Sequence, residues 1–271
     1  MTYIKRFNAF HRILHIIVAV SFIGLVASGM PLRYSYAPWA AWIMRLLGGY
    51  ENAGIVHRVC AIVTFGYFIV HILYVLYHIV IVRKLRFKIF GPESLVPRLK
   101  DFVDIYKSFK WFLGKGPRPE FDRWTYWEKF DYLAVFWGVG MIGVSGLILW
   151  FPEFFGRFFP GWIFNITTIV HSDEALLAAG FIFTIHFFNT HLRPEKFPMD
   201  TVIFTGRLTL EELKNERPLE YKRLTEEKRL EEYIVPEPKG WVFGSGVIFG
   251  FSVIFIGLSL LVLIILGQFF Y

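Results

Sequence analysis

Charge is scarce in this 271-residue sequence: Asp, Glu, Lys and Arg make up 19%, against 55% hydrophobic and 20% aromatic residues. With a mean hydropathy of +0.47, the chain is too apolar for an ordinary soluble protein and suits a small polytopic membrane protein. Several other things are missing. No segment alternates apolar and polar residues as the strands of a membrane barrel do. A Gly-rich phosphate loop, internal repeats and low-complexity tracts are absent. Histidine is missing from the long polar loops, where it would be cheapest to place, although the chain has eight.

Five stretches are long enough to cross a hydrocarbon core, which takes about 20 apolar residues. They run over Ile13 to Leu32, Ile55 to Val82, Tyr132 to Phe151, Ile166 to Thr190 and Trp241 to Tyr271. The expected fold is all-α: a membrane helical bundle with a four-helix core and a fifth C-terminal helix. Small residues at Ala27, Ser28 and Gly29 give the first stretch some likeness to a signal peptide, but it is expected to stay as a helix. Lys and Arg set the orientation, since 25 of the 29 lie at the N-terminus or in the segments from Arg83 to Lys129 and from Arg193 to Lys239. The opposite connections hold only Arg33, Arg45, Arg58 and Arg157. This places the N-terminus in the cytoplasm and the C-terminus outside. It also accounts for the net charge of +7 without nucleic acid.

The expected division is a membrane domain over 1–193, a charged cytoplasmic segment over 194–240 and the fifth helix over 241–271. Within the first, residues 94–114 place Leu95, Leu99, Phe102, Tyr106, Phe109 and Leu113 at helical spacing among lysines. That is the pattern of a helix lying in the membrane interface, or of a short packing helix. "LTLEELKNERPLEYKRLTEEKRLEEY" opens with a plausible Thr209 cap and reads as a short, solvent-exposed helical segment. In the fifth helix, Gly246 and Gly250 form a small-residue surface for a partner helix, for the bundle or for lipid.

His11, His15, His57, His71, His78, His171, His186 and His191 all lie in or beside the first, second or fourth apolar stretch. An ionisable residue inside a membrane marks a functional site by default. His57 and His71 are 14 residues apart, and His171 and His186 are 15 apart, so each pair spans about 21 Å of helix with both rings broadly on one side. The topology puts His57 and His171 at the outer level and His15, His71 and His186 at the inner one. Two levels of facing histidines suit two haems, each with an imidazole on either side of its iron. Zinc and copper sites gather their ligands in one small sphere and fit less well. Cys60 is the one cysteine and no C-x-x-C-H occurs, so the haems would be b-type. Gly66, Ala178, Ala179 and Gly180 leave room for a flat macrocycle, or serve plain helix contact. The rival from another class is a haem-free proton or ion transporter that uses the same histidines; a purely structural anchor would leave their distribution without a cause.

The run "AFHRILHIIVAVSFIGLVASG", then "GIVHRVCA", then "EKFDYLAVFWGVGMIGVSGLILWFPEF", then "IVHSDEALLAAGFIFTIHFF" resembles the four-helix di-haem cytochrome b subunits of membrane formate dehydrogenases and nickel-iron hydrogenases. The resemblance covers Lys5 to Arg193 and rests on the histidines and on the Ser-Gly pairs late in the first and third helices. It implies an outer haem held by His57 and His171 and an inner haem held by His15 and His186. His71 is the alternative inner ligand, and the surplus His11, His71, His78 and His191 leave room for a third haem. The spacing from His171 to His186 exceeds the family pattern by one residue, so a π-bulge or a shifted ligand is expected near Asp173 and Glu174.

The resemblance further implies a subunit that carries electrons between an external partner and membrane quinone, menaquinone or ubiquinone. That partner is a periplasmic iron-sulfur protein or a multihaem cytochrome c, within a hetero-oligomeric, quinone-linked oxidoreductase complex. It also places the quinone beside the loop "RWTYWEKFDY". There Trp124, Thr125 and Trp127 are candidate ring contacts, and Glu128, Lys129 or Asp131 candidate proton carriers. Arg12 and Arg58 are candidate partners of haem propionates, with topology charges as the plainer account.

Overall fold

The computed structural model describes residues 1–82 and 89–270. Arg83, Lys84, Arg86 and Lys88, counted above for orientation, and Tyr271 at the end of the fifth apolar stretch lie outside the described residues.

Among the described residues, five helices are long and apolar enough to cross a membrane: Ala9–Arg33, Tyr50–Val82, Tyr126–Trp150, Trp162–Leu192 and Gly240–Phe269. They make the chain an all-α, multi-pass membrane protein. The helices start ahead of the apolar stretches because polar caps lie upstream. Asn8 Oδ1 accepts the backbone N–H of His11 at 3.0 Å, which satisfies one orphan donor of the first span. Thr125 and Glu128 cap the third reciprocally: the backbone N–H of Thr125 donates to Glu128 Oε2 at 2.8 Å, and that of Glu128 donates to Thr125 Oγ1 at 3.3 Å.

The chain forms two compact units. The first combines Met1–Arg12, Tyr74–Ala134 and Thr201–Gly246. Residues 208–233 were expected as a short, solvent-exposed helical segment, and this is corrected: from Thr201 the chain folds together with the N-terminus. Strand β1 (Tyr3–Lys5) lies between β2 (Arg207–Thr209) and β3 (Ile234–Val235), antiparallel to both. The reason is apolar. Ile4, Leu208 and Leu213 bury one another, with Tyr221 and Leu230 packed against them. Thr209 does cap a helix, Leu210–Glu216, but Pro218 starts a second one, Pro218–Glu226, and Glu220 and Leu224 are buried. Glu220 has a specific reason to be inside, since its two oxygens take Arg6 at 3.1 Å and Arg123 at 2.9 Å. Burial pulls the Arg6 guanidinium down to about 10, with Glu220 opposing. Arg6 also lies over the Trp124 ring, 4.6 Å from its centre.

The second unit holds Ile13–Leu73, Val135–Asp200 and the chain from Val247. Here the fifth span carries a stripe of buried residues, Gly250, Ile254, Gly257, Leu260, Ile264 and Gly267, at the three- and four-residue spacing of one helix face. A Cβ on Gly257 would come 2.7 Å from Phe187 and 2.8 Å from Phe183, and one on Gly267 would come 2.8 Å from Tyr34. The small-residue face of this helix is used to pack on its own chain.

Candidate functional site

The first, second, third and fourth spans bring four histidines together as two pairs within the second unit. The ring centres of His57 and His171 are 6.2 Å apart, with planes inclined at 68°. Those of His15 and His186 are 6.5 Å apart, inclined at 35°. Among the described residues, no three His, Cys, Asp or Glu side chains gather as a metal-binding group. The histidines come in twos.

The His57/His171 pair is cradled by the two Ser-Gly sequences. Ser28 Oγ donates to the Gly24 carbonyl at 2.6 Å, so its contact of 2.9 Å with His57 Nδ1 is one in which it accepts. His57 therefore carries its proton on Nδ1. Ser145 repeats the arrangement, donating to the Met141 carbonyl at 2.6 Å and lying 3.2 Å from His171 Nδ1. The Ile142 carbonyl, 3.0 Å from the same nitrogen, can only accept, so His171 is also protonated on Nδ1. In the neutral ring the lone pair then lies on Nε2. The glycines supply clearance: a Cβ on Gly29 would lie 3.3 Å from His57 Cε1, and one on Gly146 would lie 3.0 Å from His171 Cε1. In the other pair, His15 Nδ1 is buried and has no hydrogen-bond partner among the described residues.

A π-helical turn does lie between His171 and His186, but not near Asp173 and Glu174 as expected. It covers Ile182–His186, and a second follows over Phe188–Leu192. Asp173 and Glu174 sit in regular α-helix and bind outward, Asp173 to Arg33 at 2.6 Å and Glu174 to the Trp137 indole at 3.1 Å. One π turn inserts one residue, so fifteen positions turn through about the angle of fourteen in a regular helix. A further π turn, Val139–Gly143, leads directly into the Ser145-Gly146 cradle.

The other candidates are placed as follows. His71 is half-buried on the helix that carries His57. His191 is buried, with its ring centre 6.4 Å from that of Phe187. In the first unit, His11 meets the Tyr74 ring edge-on at 5.3 Å, and His78 stacks on the same ring at 5.9 Å. Arg12 Nε donates to the Phe204 carbonyl at 2.6 Å, and Arg58 lies 5.8 Å from the Trp150 ring centre. Of the loop residues, Trp124 donates its indole N–H to the Glu93 carbonyl at 3.1 Å, and Trp127 packs edge-on to Phe121 at 4.9 Å. Asp131 is half-buried. Besides its capping bonds with Thr125, Glu128 takes Arg217 at 2.9 Å, and buried Lys129 gives both oxygens of Asp101 a hydrogen bond, at 2.8 and 2.9 Å. Moving a proton on or off Glu128 or Lys129 means breaking one of these pairs.

The arrangement fits a metal placed between imidazoles. With nitrogen bonds of about 2 Å and each nitrogen about 1.1 Å from its ring centre, two imidazoles on opposite sides of one ion have centres about 6 Å apart. Both pairs have that spacing. Tethering the distal nitrogen to a carbonyl or hydroxyl is how proteins orient metal-binding histidines. A Cβ built on Gly66 or Gly180 meets nothing within 4 Å, so neither glycine is spent on helix contact. Ala179, by contrast, is fully buried. Sequence reasoning used Ser28-Gly29 and Ser145-Gly146 only as landmarks; the signal of their role is a hydroxyl next to a glycine, repeated on two helices. No family model matches the chain, and no curated protein matches it either.

Proposed function

We propose that the chain is a di-haem cytochrome b subunit that carries electrons across the prokaryotic cytoplasmic membrane. The observation that carries this reading is the pair of ring separations, 6.2 Å for His57 with His171 and 6.5 Å for His15 with His186. These are the four residues that would hold two b haems. Bound there, haem supplies a one-electron iron couple at each level.

The protein's own part is to hold and to space. Ser28, Ser145 and the Ile142 carbonyl keep the Nδ1 protons of His57 and His171, so that Nε2 stays unprotonated. Gly29 and Gly146 let the rings lie close to their cradles. The fourth span contributes one histidine to each pair, His171 and His186, about 22 Å apart along its axis by helical rise. That separation distributes the two sites through the thickness of a hydrocarbon core.

The charge bias supports an N-terminus in the cytoplasm, and five crossings then put the C-terminus outside. On this reading the His57/His171 level meets an external redox protein, an iron-sulfur protein or a multihaem cytochrome c. The His15/His186 level exchanges electrons with membrane quinone. Glu128 and Lys129 enter as fixed charges.

The test is a dithionite-reduced minus oxidised spectrum of the purified chain, with haem quantified as the pyridine haemochrome. Two b haems per chain are expected. A colourless, folded preparation overturns the reading and favours a proton or ion transporter built on the same histidines.

A further inference from the structure

The helix Leu99–Phe112, in the first unit, is built inside out. Asp101, Asp104 and Ser108 are buried, whereas Leu99 is 85% exposed, Phe102 66%, Tyr106 63% and Phe109 65%. Its polar face is fastened inward. Asp101 holds Lys129 at 2.8 Å and caps its own helix by accepting the backbone N–H of Arg98 at 2.6 Å. Asp104 pairs with Lys100, which also donates to the Glu120 carbonyl at 3.0 Å. Rolling the helix over would break the buried Lys129–Asp101 pair, so the apolar side has to face away from the protein.

We infer that this helix lies on an anionic membrane surface, its outward aromatic face set among the lipid headgroups and upper acyl chains. Three observations select that occupant. The segment that carries the helix continues into a membrane span at each end, the second ending at Val82 and the third starting at Tyr126, so it is tethered to the bilayer. The apolar face is bordered by cations: Lys107, Lys110 and Lys115 are exposed. Two cations sit over the aromatic rings themselves, Lys110 5.6 Å from the centre of Tyr106 and Arg118 5.4 Å from that of Trp111. A flat apolar face with lysines along its border is how an interfacial helix combines burial with attraction to acidic headgroups. A second copy docked face to face would set these lysines against their own equivalents, which disfavours a dimer contact. The inference goes beyond the electron-transfer reading and holds whatever the histidine pairs bind.

The test uses the full chain in lipid nanodiscs, in a Cys60→Ser background, spin-labelled singly at Phe102→Cys or Phe109→Cys. Discs of phosphatidylcholine are compared with discs containing one third phosphatidylglycerol. Both labels are expected to collide more with oxygen than with a water-soluble nickel chelate, and more so in the acidic discs. Adding Lys107→Gln, Lys110→Gln and Lys115→Gln is expected to remove the dependence on acidic lipid. Labels that favour the nickel chelate place the face in water; labels shielded from both reagents place it under protein; either overturns the inference. An equal response in both discs overturns the anionic preference. The two label positions keep the test standing where one variant fails to fold.

Discussion

Ser28 Oγ on the first span accepts the Nδ1 proton of His57 on the second at 2.9 Å, and Ser145 holds His171 of the fourth span in the same manner from the third. On the di-haem reading, removing the Ser28 hydroxyl loosens one imidazole without removing a ligand, whereas His171 keeps the Ile142 carbonyl at 3.0 Å when Ser145 is lost. Loss of such an outer partner typically costs about 10- to 100-fold in metal affinity. Ser28→Ala is therefore expected to lower haem occupancy at the His57/His171 pair and leave the other unchanged. Haem per chain after prolonged detergent washing, read beside the two redox midpoints, checks this.

Gly146→Val tests the same cradle sterically. Its Cβ would stand 3.0 Å from His171 Cε1, so the ring has to turn away. One haem per chain is expected to be lost, with the five spans still inserted. Protease accessibility of the loops separates that outcome from general misfolding.

His71 lies on the same helix as His57, whereas the two ring pairs described above are His57 with His171 and His15 with His186. His71→Leu is expected to retain two haems, while His15→Leu and His186→Leu each retain one. Pyridine haemochrome counts on the three variants decide between His15 and His71.

Glu220 receives Arg6 and Arg123 in a buried site. Glu220→Gln removes the carboxylate shared by two guanidiniums and leaves Arg6 only Glu128 at 3.6 Å, and breaking a buried pair costs about 3–5 kcal/mol. The expected result is a lowered midpoint of thermal unfolding and faster proteolysis of the chain after Thr201.

On the fifth span, Gly257→Leu drives a side chain into Phe183 and Phe187, an overpacking worth about 1–3 kcal/mol of stability. Gly244→Leu is the control, because a Cβ there meets nothing within 4 Å. Thermal unfolding in detergent is expected to separate the two variants.

The five membrane helices were legible because apolar run length is a direct consequence of bilayer thickness, and the starts missed by a few residues were set by Asn8 and Thr125, polar caps that hydropathy does not register. The pairing of His57 with His171 and of His15 with His186 was drawn from the topology and the family resemblance together, and the ring centres of these pairs lie 6.2 and 6.5 Å apart. Which hydroxyl holds which ring was not legible: Ser28 and His57 are 29 residues apart, and their bond depends on how two helices cross. The position of the π turn at Ile182–His186 escaped because nothing in these residues marks them off from a regular helix. Arg6 was counted as a topology charge, and nothing local shows that it pairs inside with Glu220, 214 positions later. Residues 94–114 showed a two-sided helix, but which side faces out was decided by Lys129.

The placement of β1 carries a consequence for biosynthesis. Tyr3–Lys5 is made before the first span, yet both of its neighbours, Arg207–Thr209 and Ile234–Val235, are made only after the fourth span. This strand must wait, with its hydrogen-bonding edges open, until both later segments have been made. A bulky insertion beside Tyr3 would be carried through that whole interval next to a strand still waiting for its neighbours, so a reporter placed there would disturb assembly even where the histidine pairs formed normally.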